Sequence, residues 1–141
     1  MPPVFPNTDF PFLYPNTWRQ TSSATSKYNC IAYAASDLSH WWWPLPGGYW
    51  PYGVARLLDV STFNQAFGAI GYTVCSGPGF VAGMEKVAIY ALDSVPKHAA
   101  RQLESGKWTS KLGPYIDIEH DLNAICGPAY GAPVSFMERA R

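Results

Sequence analysis

The sequence predicts one α+β domain over residues 1–141, in which a helix near the N-terminus packs on an antiparallel sheet of about four or five strands, with short additional helices. Helical periodicity surrounds the first cysteine, in Lys27–Leu38. Later, the apolar segment Lys86–Leu92 predicts a central strand, and Glu104–Lys107 has the composition of a hairpin turn. A chain of 141 residues is long enough to bury one hydrophobic core.

The first helix is predicted from its cap and its apolar spacing. The side-chain oxygen of Asn29 or Ser26 can accept hydrogen bonds from the free backbone N–H groups at the start of this helix. Apolar residues recur at helical spacing and should face a core, namely Ile31, Ala35 and Leu38. Cys30 would then lie in the first turn, where the positive end of the helix favours a thiolate.

The N-terminal region before this helix is predicted to be non-helical. Four prolines among the aromatic residues of 1–14 favour an extended arm, with the core beginning at residue 15. The polar segment 16–26 is predicted to be a loop that leads into the helix.

An aromatic segment, Trp41–Tyr52, follows the helix without helical or strand periodicity. Its rings, including Trp42 and Trp43, can be interpreted as a stacking platform for a sugar or peptide substrate. They can also be interpreted as a hydrophobic cover over the first helix. We favour the cover, because tryptophan serves packing more often than ligand binding.

The remaining elements are predicted from caps, apolar runs and glycines. Thr62–Gln65 has the pattern of a capping box, and Phe63, Ala66, Phe67 and Ile70 give the second helix an apolar face that ends at Gly71. The other predicted elements are a short strand at 72–75, a loop at 76–83, strands at 86–92, 97–103, 108–112 and 132–139, and a third helix at 117–126.

Composition narrows the function classes. Ten basic residues balance ten acidic ones, which argues against a nucleic-acid partner. Three cysteines cannot all pair within the chain, and no signal peptide is visible at its start. We therefore expect reduced thiols and a cytoplasmic protein, unless a dedicated system exports it. No apolar run reaches the length of a membrane span. No spacing of a metal site or of a phosphate loop occurs, so we expect no metal and no cofactor.

Three histidines are available as a base for Cys30. His40 lies about 15 Å farther along the predicted helix axis. His120 falls in the predicted third helix beside acidic residues and could be a surface residue. His98 lies near the start of a strand, where an imidazole could take the thiol proton and later protonate a leaving group.

The register of the predicted hairpin selects a third group to orient the imidazole. If Gly106 takes a left-handed bulge position, Leu103 opposes Lys107, and Ser110 lies diagonal to His98 on the same face. A two-residue turn would shift the register by one and place Lys111 there instead. We favour the bulge, because it avoids a positive φ at Ser105.

Two further assignments stay open. Asp117 is the charged alternative to Ser110 as orienting residue. The oxyanion site would combine the Cys30 N–H with a donor from Asn29, Tyr28 or Gln20.

Several motifs together resemble an uncharacterised bacterial domain family over about residues 14–137. The motifs are Tyr28–Ala32, Trp41–Pro44, Tyr49–Pro51, Gly71–Tyr72, Glu85–Tyr90, His98–Leu103, Trp108–Gly113 and Ile118–His120. The order of a helix-borne cysteine followed by a strand-borne histidine is also similar to papain-like and NlpC-type cysteine peptidases. That second resemblance implies a papain-like fold.

The sequence therefore predicts a thiol-dependent hydrolase or acyltransferase that acts on a small amide, peptide or thioester substrate. Cys30 would be the nucleophile, His98 the base, and Ser110 or Asp117 the orienting group. The alternative is a binding module, or an inactive papain-like scaffold, whose contact surface is the aromatic segment.

Overall fold

The structure, a computed structural model, describes residues 10–13, 17–112 and 116–141. Its strands are β1 Trp18–Ser22, β2 Thr73–Val74, β3 Met84–Leu92, β4 Val95–Gln102, β5 Trp108–Lys111, β6 Asp117–His120 and β7 Ala132–Ala140. Its helices are α1 Cys30–Ala34 and α2 Val60–Gly68. The seven strands form one antiparallel sheet in the order β1-β6-β5-β4-β3-β7-β2.

The predicted papain-like α+β fold, with four or five strands, is wrong. The described residues form a seven-stranded sheet with two short helices. The third helix predicted at 117–126 is instead β6 followed by turns, because residues 117–120 pair with β5 on one side and β1 on the other. The loop predicted at 16–26 contains β1, a largely exposed strand whose sequence lacks an apolar pattern.

The first helix is much shorter than predicted. Asn29 caps it as expected, and its side chain accepts from the Ala32 N–H. The helix stops at Ala34, and Ser36 adopts a left-handed φ of 65°, so the chain turns away early. Leu38, predicted to face the core, is 55% exposed.

The core lies on both faces of the sheet. On one face, α1, α2 and the aromatic segment pack against β3, β4 and β7. The predicted apolar face of α2 is confirmed, since Phe63, Ala66 and Phe67 are fully buried, although the helix is capped by Asp59. Trp42 and Trp50 are also buried, which confirms that much of the aromatic segment is cover.

On the other face, a second cluster contains Tyr90, Trp108, Ile118 and Ile125. Phe10, from the region predicted to be an extended arm, packs edge-on against Tyr130 with ring centroids 5.3 Å apart. The rest of the predicted arm, at 1–9 and 14, lies outside the described residues.

The β4–β5 hairpin has the predicted register. Arg101 pairs with Thr109, and the Leu103 N–H donates to the Lys107 carbonyl at 2.7 Å. Gly106 has a φ of 90°, as the three-residue bulge requires. The same register places Ser110 diagonal to His98.

Candidate active site

The site begins where β4 and β5 separate. Among the described residues, the two strands pair at Gln102 and Arg101 of β4, next to the turn. Ala99 and Lys97 follow at two-residue steps, so their backbone polar groups also point toward β5. The thiol of Cys30, rather than a residue of β5, lies against these backbone groups. Its Sγ lies 4.0 Å from the Lys97 carbonyl oxygen, and the Ala99 N–H points toward the sulfur. The thiol thus lies against the backbone on both sides of residue 98.

The thiol of Cys30 is protonated at rest. Burial raises its pKa to about 11, although nearby backbone N–H groups and the charge of Lys111 act in the opposite direction. The expectation that the helix end would favour a thiolate is therefore wrong for the free protein. Desolvation of the charged form outweighs the dipole of a five-residue helix.

The side chain of His98 belongs to the second face of the sheet and is completely buried. Its Nε2 lies 2.9 Å from the Oγ of Ser110, and that oxygen lies 2.7 Å from Nε2 of His120. The Nδ1 of His120 lies 2.7 Å from the carbonyl oxygen of Asp121. Three buried side chains thus form one continuous chain of hydrogen bonds across β4, β5 and β6.

The two ring nitrogens of His98 differ in their hydrogen bonding. Among the described residues, its Nδ1 has no hydrogen-bond partner. The imidazole stacks on Tyr130, with ring centroids 4.0 Å apart and an interplanar angle of 15°. Burial, followed by the neighbouring His120, holds the pKa of His98 well below its usual value, so the ring is neutral.

Tyr130 connects the two halves of the site. Burial raises the pKa of its hydroxyl, and charge on the Cys30 sulfur raises it further. A residue that stacks on His98 is therefore also close enough to Cys30 to sense its charge.

Asp117 lies on the Cys30 side of the sheet, opposite Lys111 in the β5–β6 ladder. Its Oδ2 accepts hydrogen bonds from Tyr28 and Ser22, both at 2.8 Å, whereas its buried Oδ1 has no partner among the described residues. The fully buried Lys111 has its Nζ 5.3 Å from the centre of the Tyr28 ring. Burial lowers the pKa of Lys111, and the charges of Asp117 and Cys30 oppose that shift.

Of the two predicted orienting groups, the structure therefore brings Ser110 to His98. Asp117 instead holds Tyr28 beside Lys111.

Asn29 and Tyr28, predicted as oxyanion donors, are engaged in structural hydrogen bonds. The Nδ2 of Asn29 donates to the Trp42 carbonyl at 2.6 Å, and the Tyr28 hydroxyl donates to Asp117. The third candidate, Gln20, is exposed on β1 and donates to the Ser22 carbonyl.

The two tryptophans predicted to contact substrate pack in the core. The buried Trp42 donates from Nε1 to Asp37, and the partly buried Trp43 contacts Phe63 edge-on. Neither side chain forms an open stacking surface.

Sequence reasoning set aside His120 and Lys111 and did not consider Tyr130. A strand interpretation of 117–120 would have found His120, because its register places that residue opposite Trp108 and therefore diagonal to Ser110. No local pattern marks Tyr130, which lies in a turn between Gly127 and Gly131.

Within the described ranges, no group of three or more His, Cys, Asp or Glu side chains could hold a metal ion. The described helices are too short to cross a membrane.

Comparison with known proteins gives a family. A family model described as "Domain of unknown function (DUF7689)" matches residues 19–138, which confirms the predicted membership in an uncharacterised domain family. No curated protein and no solved structure matches the chain. The papain-like resemblance thus has no support from either comparison or from the fold.

Proposed function

Because the chain belongs to the DUF7689 family, whose function is unknown, we propose an activity from the site itself: thiol-dependent acyl transfer, with Cys30 as nucleophile and His98 as general base. The substrate class is an amide or a thioester, and the acceptor of the acyl group is water or a second small molecule. Ser110 orients the imidazole through its hydrogen bond to Nε2.

The observation that carries this proposal is a buried thiol that lies against the backbone on both sides of residue 98, whose neutral imidazole has an Nδ1 without a partner among the described residues. A buried nitrogen without a hydrogen bond costs stability, so its presence calls for an explanation. Groups with a strongly shifted pKa, such as this imidazole, are concentrated at functional sites. A neutral His98 can accept the thiol proton as the sulfur attacks the acyl carbon, and it can return that proton to the amine or thiol that leaves when the C–N or C–S bond breaks.

The surroundings of Cys30 fit a nucleophile that ionises only during attack. Lys111 supplies a positive charge that favours the thiolate as it forms. Asp117 is held in place by Tyr28 and Ser22, and it balances that lysine. The backbone N–H of Cys30, at the start of α1, is a donor for the developing oxyanion.

The test is to trap an acyl-enzyme. The protein is incubated with p-nitrophenyl acetate and with S-phenyl thioacetate, and the site of acetylation is located by mass spectrometry. We expect acetylation at Cys30, its loss in Cys30→Ala, and a drop of roughly 100-fold in acylation rate in His98→Ala.

The matched control is Cys75→Ala, which removes a partly exposed thiol elsewhere in the chain and should leave acylation unchanged. Acetylation that persists in Cys30→Ala, or that occurs equally at Cys75 and Cys126, would show that the proposed nucleophile is wrong.

A second candidate function is binding through the aromatic segment. Its support is exposure: Trp41 is 39% and Tyr49 43% exposed, Tyr52 is fully exposed, and His40 stacks on Tyr49 at 4.6 Å. These rings could stack on a glycan or peptide. Binding that is lost in Tyr49→Ala but retained in Cys30→Ser would favour this function over acyl transfer.

A further inference from the structure

The chain of hydrogen bonds that ends at His98 begins at the backbone carbonyl of Asp121, and this group fixes the direction of every bond that follows. The carbonyl oxygen of Asp121 can only accept, so Nδ1 of His120 must carry a hydrogen. Burial lowers the pKa of His120 to about 4, so near neutral pH the ring has a single N–H. Its Nε2 must therefore present a lone pair to Ser110.

The direction of the remaining bonds follows. The Ser110 hydroxyl donates to Nε2 of His120 at 2.7 Å, and its one hydrogen is then committed. Its oxygen must accept from Nε2 of His98 at 2.9 Å, so the neutral His98 carries its hydrogen on Nε2. Nδ1, which has no partner in the part of the chain that the structure describes, is consequently the basic nitrogen.

We propose that His120 is a positioning residue that sets the tautomer of His98 through Ser110 and so keeps Nδ1 free of a proton. The catalytic meaning of this arrangement rests on the proposed acyl transfer, whereas the tautomer itself does not. If His120 is replaced by a side chain that cannot accept, the Ser110 hydrogen is free to turn toward Nε2 of His98. The Nδ1–H tautomer then becomes populated, and that form cannot take the thiol proton.

The experiment reads the tautomer directly by long-range ¹H–¹⁵N correlation on protein labelled with ¹⁵N-histidine. The chain has three histidines, so single-histidine variants assign the signals. In the unmodified protein we expect His98 to be wholly Nε2–H. His120→Leu should populate the Nδ1–H form, and alkylation of Cys30 by iodoacetamide should slow by roughly 10- to 100-fold.

The matched variant is His120→Gln, whose side-chain oxygen can still accept from Ser110. It should keep the Nε2–H tautomer and most of the alkylation rate, which a merely space-filling role for His120 would not predict. Ser110→Ala breaks the same link with a smaller change in volume, so it serves if His120→Leu does not fold.

The proposal is overturned if His98 carries its hydrogen on Nδ1 in the unmodified protein. An unchanged tautomer in the folded His120→Leu or Ser110→Ala variant overturns it as well. These results are distinct from failure of the proposed function, which is recognised by acylation that persists in Cys30→Ala.

Discussion

Asn29 holds the main chain of Trp42 in both directions. Its Oδ1 accepts from the Trp42 N–H at 3.0 Å, and its Nδ2 donates to the Trp42 carbonyl at 2.6 Å. The same Oδ1 caps α1 by accepting from the Ala32 N–H. One buried amide therefore ties the helix that carries Cys30 to the aromatic segment that covers it.

Asn29→Ala should destabilise the protein by about 2–4 kcal/mol. The change removes a helix cap, and it leaves the backbone N–H and carbonyl of Trp42 without a hydrogen-bond partner in the core. Asn29→Ser keeps an oxygen that can cap α1 and loses only the contacts with Trp42, so it should be less destabilising than Asn29→Ala. Urea unfolding measures both changes. The control is Asp59→Ala at the exposed cap of α2, which should cost clearly less because it removes only a helix cap. Equal losses at the two caps would contradict the tie to Trp42.

The buried histidines should make the fold sensitive to mild acid. In the folded chain, burial lowers the pKa of His120 to about 4 and holds that of His98 well below its usual value of 6.5. Below about pH 6.5 the unfolded chain therefore binds protons that the folded chain does not. Stability should be full above that pH and should fall as the pH drops toward 4, by about 2 kcal/mol from His120 alone between pH 7 and 5.

Urea unfolding at pH 7, 6 and 5 checks this, in a range above the titration of the carboxylates. His120→Gln should remove a large part of the slope, whereas His40→Gln, at an exposed histidine, should not. Stability that does not change over this range would argue against two neutral, buried imidazoles.

The contact between His98 and Ser110 could be predicted from the sequence, because a single local feature determines it. Gly106 permits the bulged turn, and the turn sets the register between β4 and β5. That register determines that Ser110 lies on the same face of the sheet as His98. Ser110 followed from that reasoning without knowledge of the remaining sheet.

The rest of the site depends on contacts between distant segments. The segment 117–120 has no strong apolar alternation, and it becomes a strand because β1 and β5 offer partners on both sides. His120 was therefore assigned to a helix, away from Ser110. The first helix was predicted too long for a related reason. Helix propensity does not show that the chain turns at Ser36, and this turn lets the backbone of Trp42 hydrogen-bond to Asn29.

Lys86 anchors a glycine-rich loop from a buried position on β3. Its Nζ donates to the carbonyls of Gly77 and Gly79 at 2.9 and 2.7 Å. Lys86→Met should release the loop and cost about 1–3 kcal/mol, because two carbonyls lose a charged donor. Faster amide hydrogen exchange at 76–83 would report the release. Lys97→Met, at an exposed lysine on β4, is the control and should change neither quantity.

The turn that carries Tyr130 should tolerate no side chain at Gly131. This glycine has a φ of 71°, and an added Cβ would overlap the carbonyl oxygen of Ala91. Gly131→Ala should therefore cost about 2–4 kcal/mol, from strain and from displacement of the turn. Because the adjacent Tyr130 stacks on His98, the ring protons of His98 should also lose their ring-current shift.

Urea unfolding and one-dimensional NMR of the imidazole protons measure the two effects in Gly131→Ala. Gly68→Ala provides the matched control, because that position lies at the end of α2 with open space around it, and alanine there should be neutral or stabilising by up to about 1 kcal/mol. If Gly131→Ala lowers stability but leaves the His98 ring protons in place, Tyr130 does not depend on this turn for its stacking. If both change, and acylation of Cys30 slows with them, Tyr130 is linked to the site through the position of its ring.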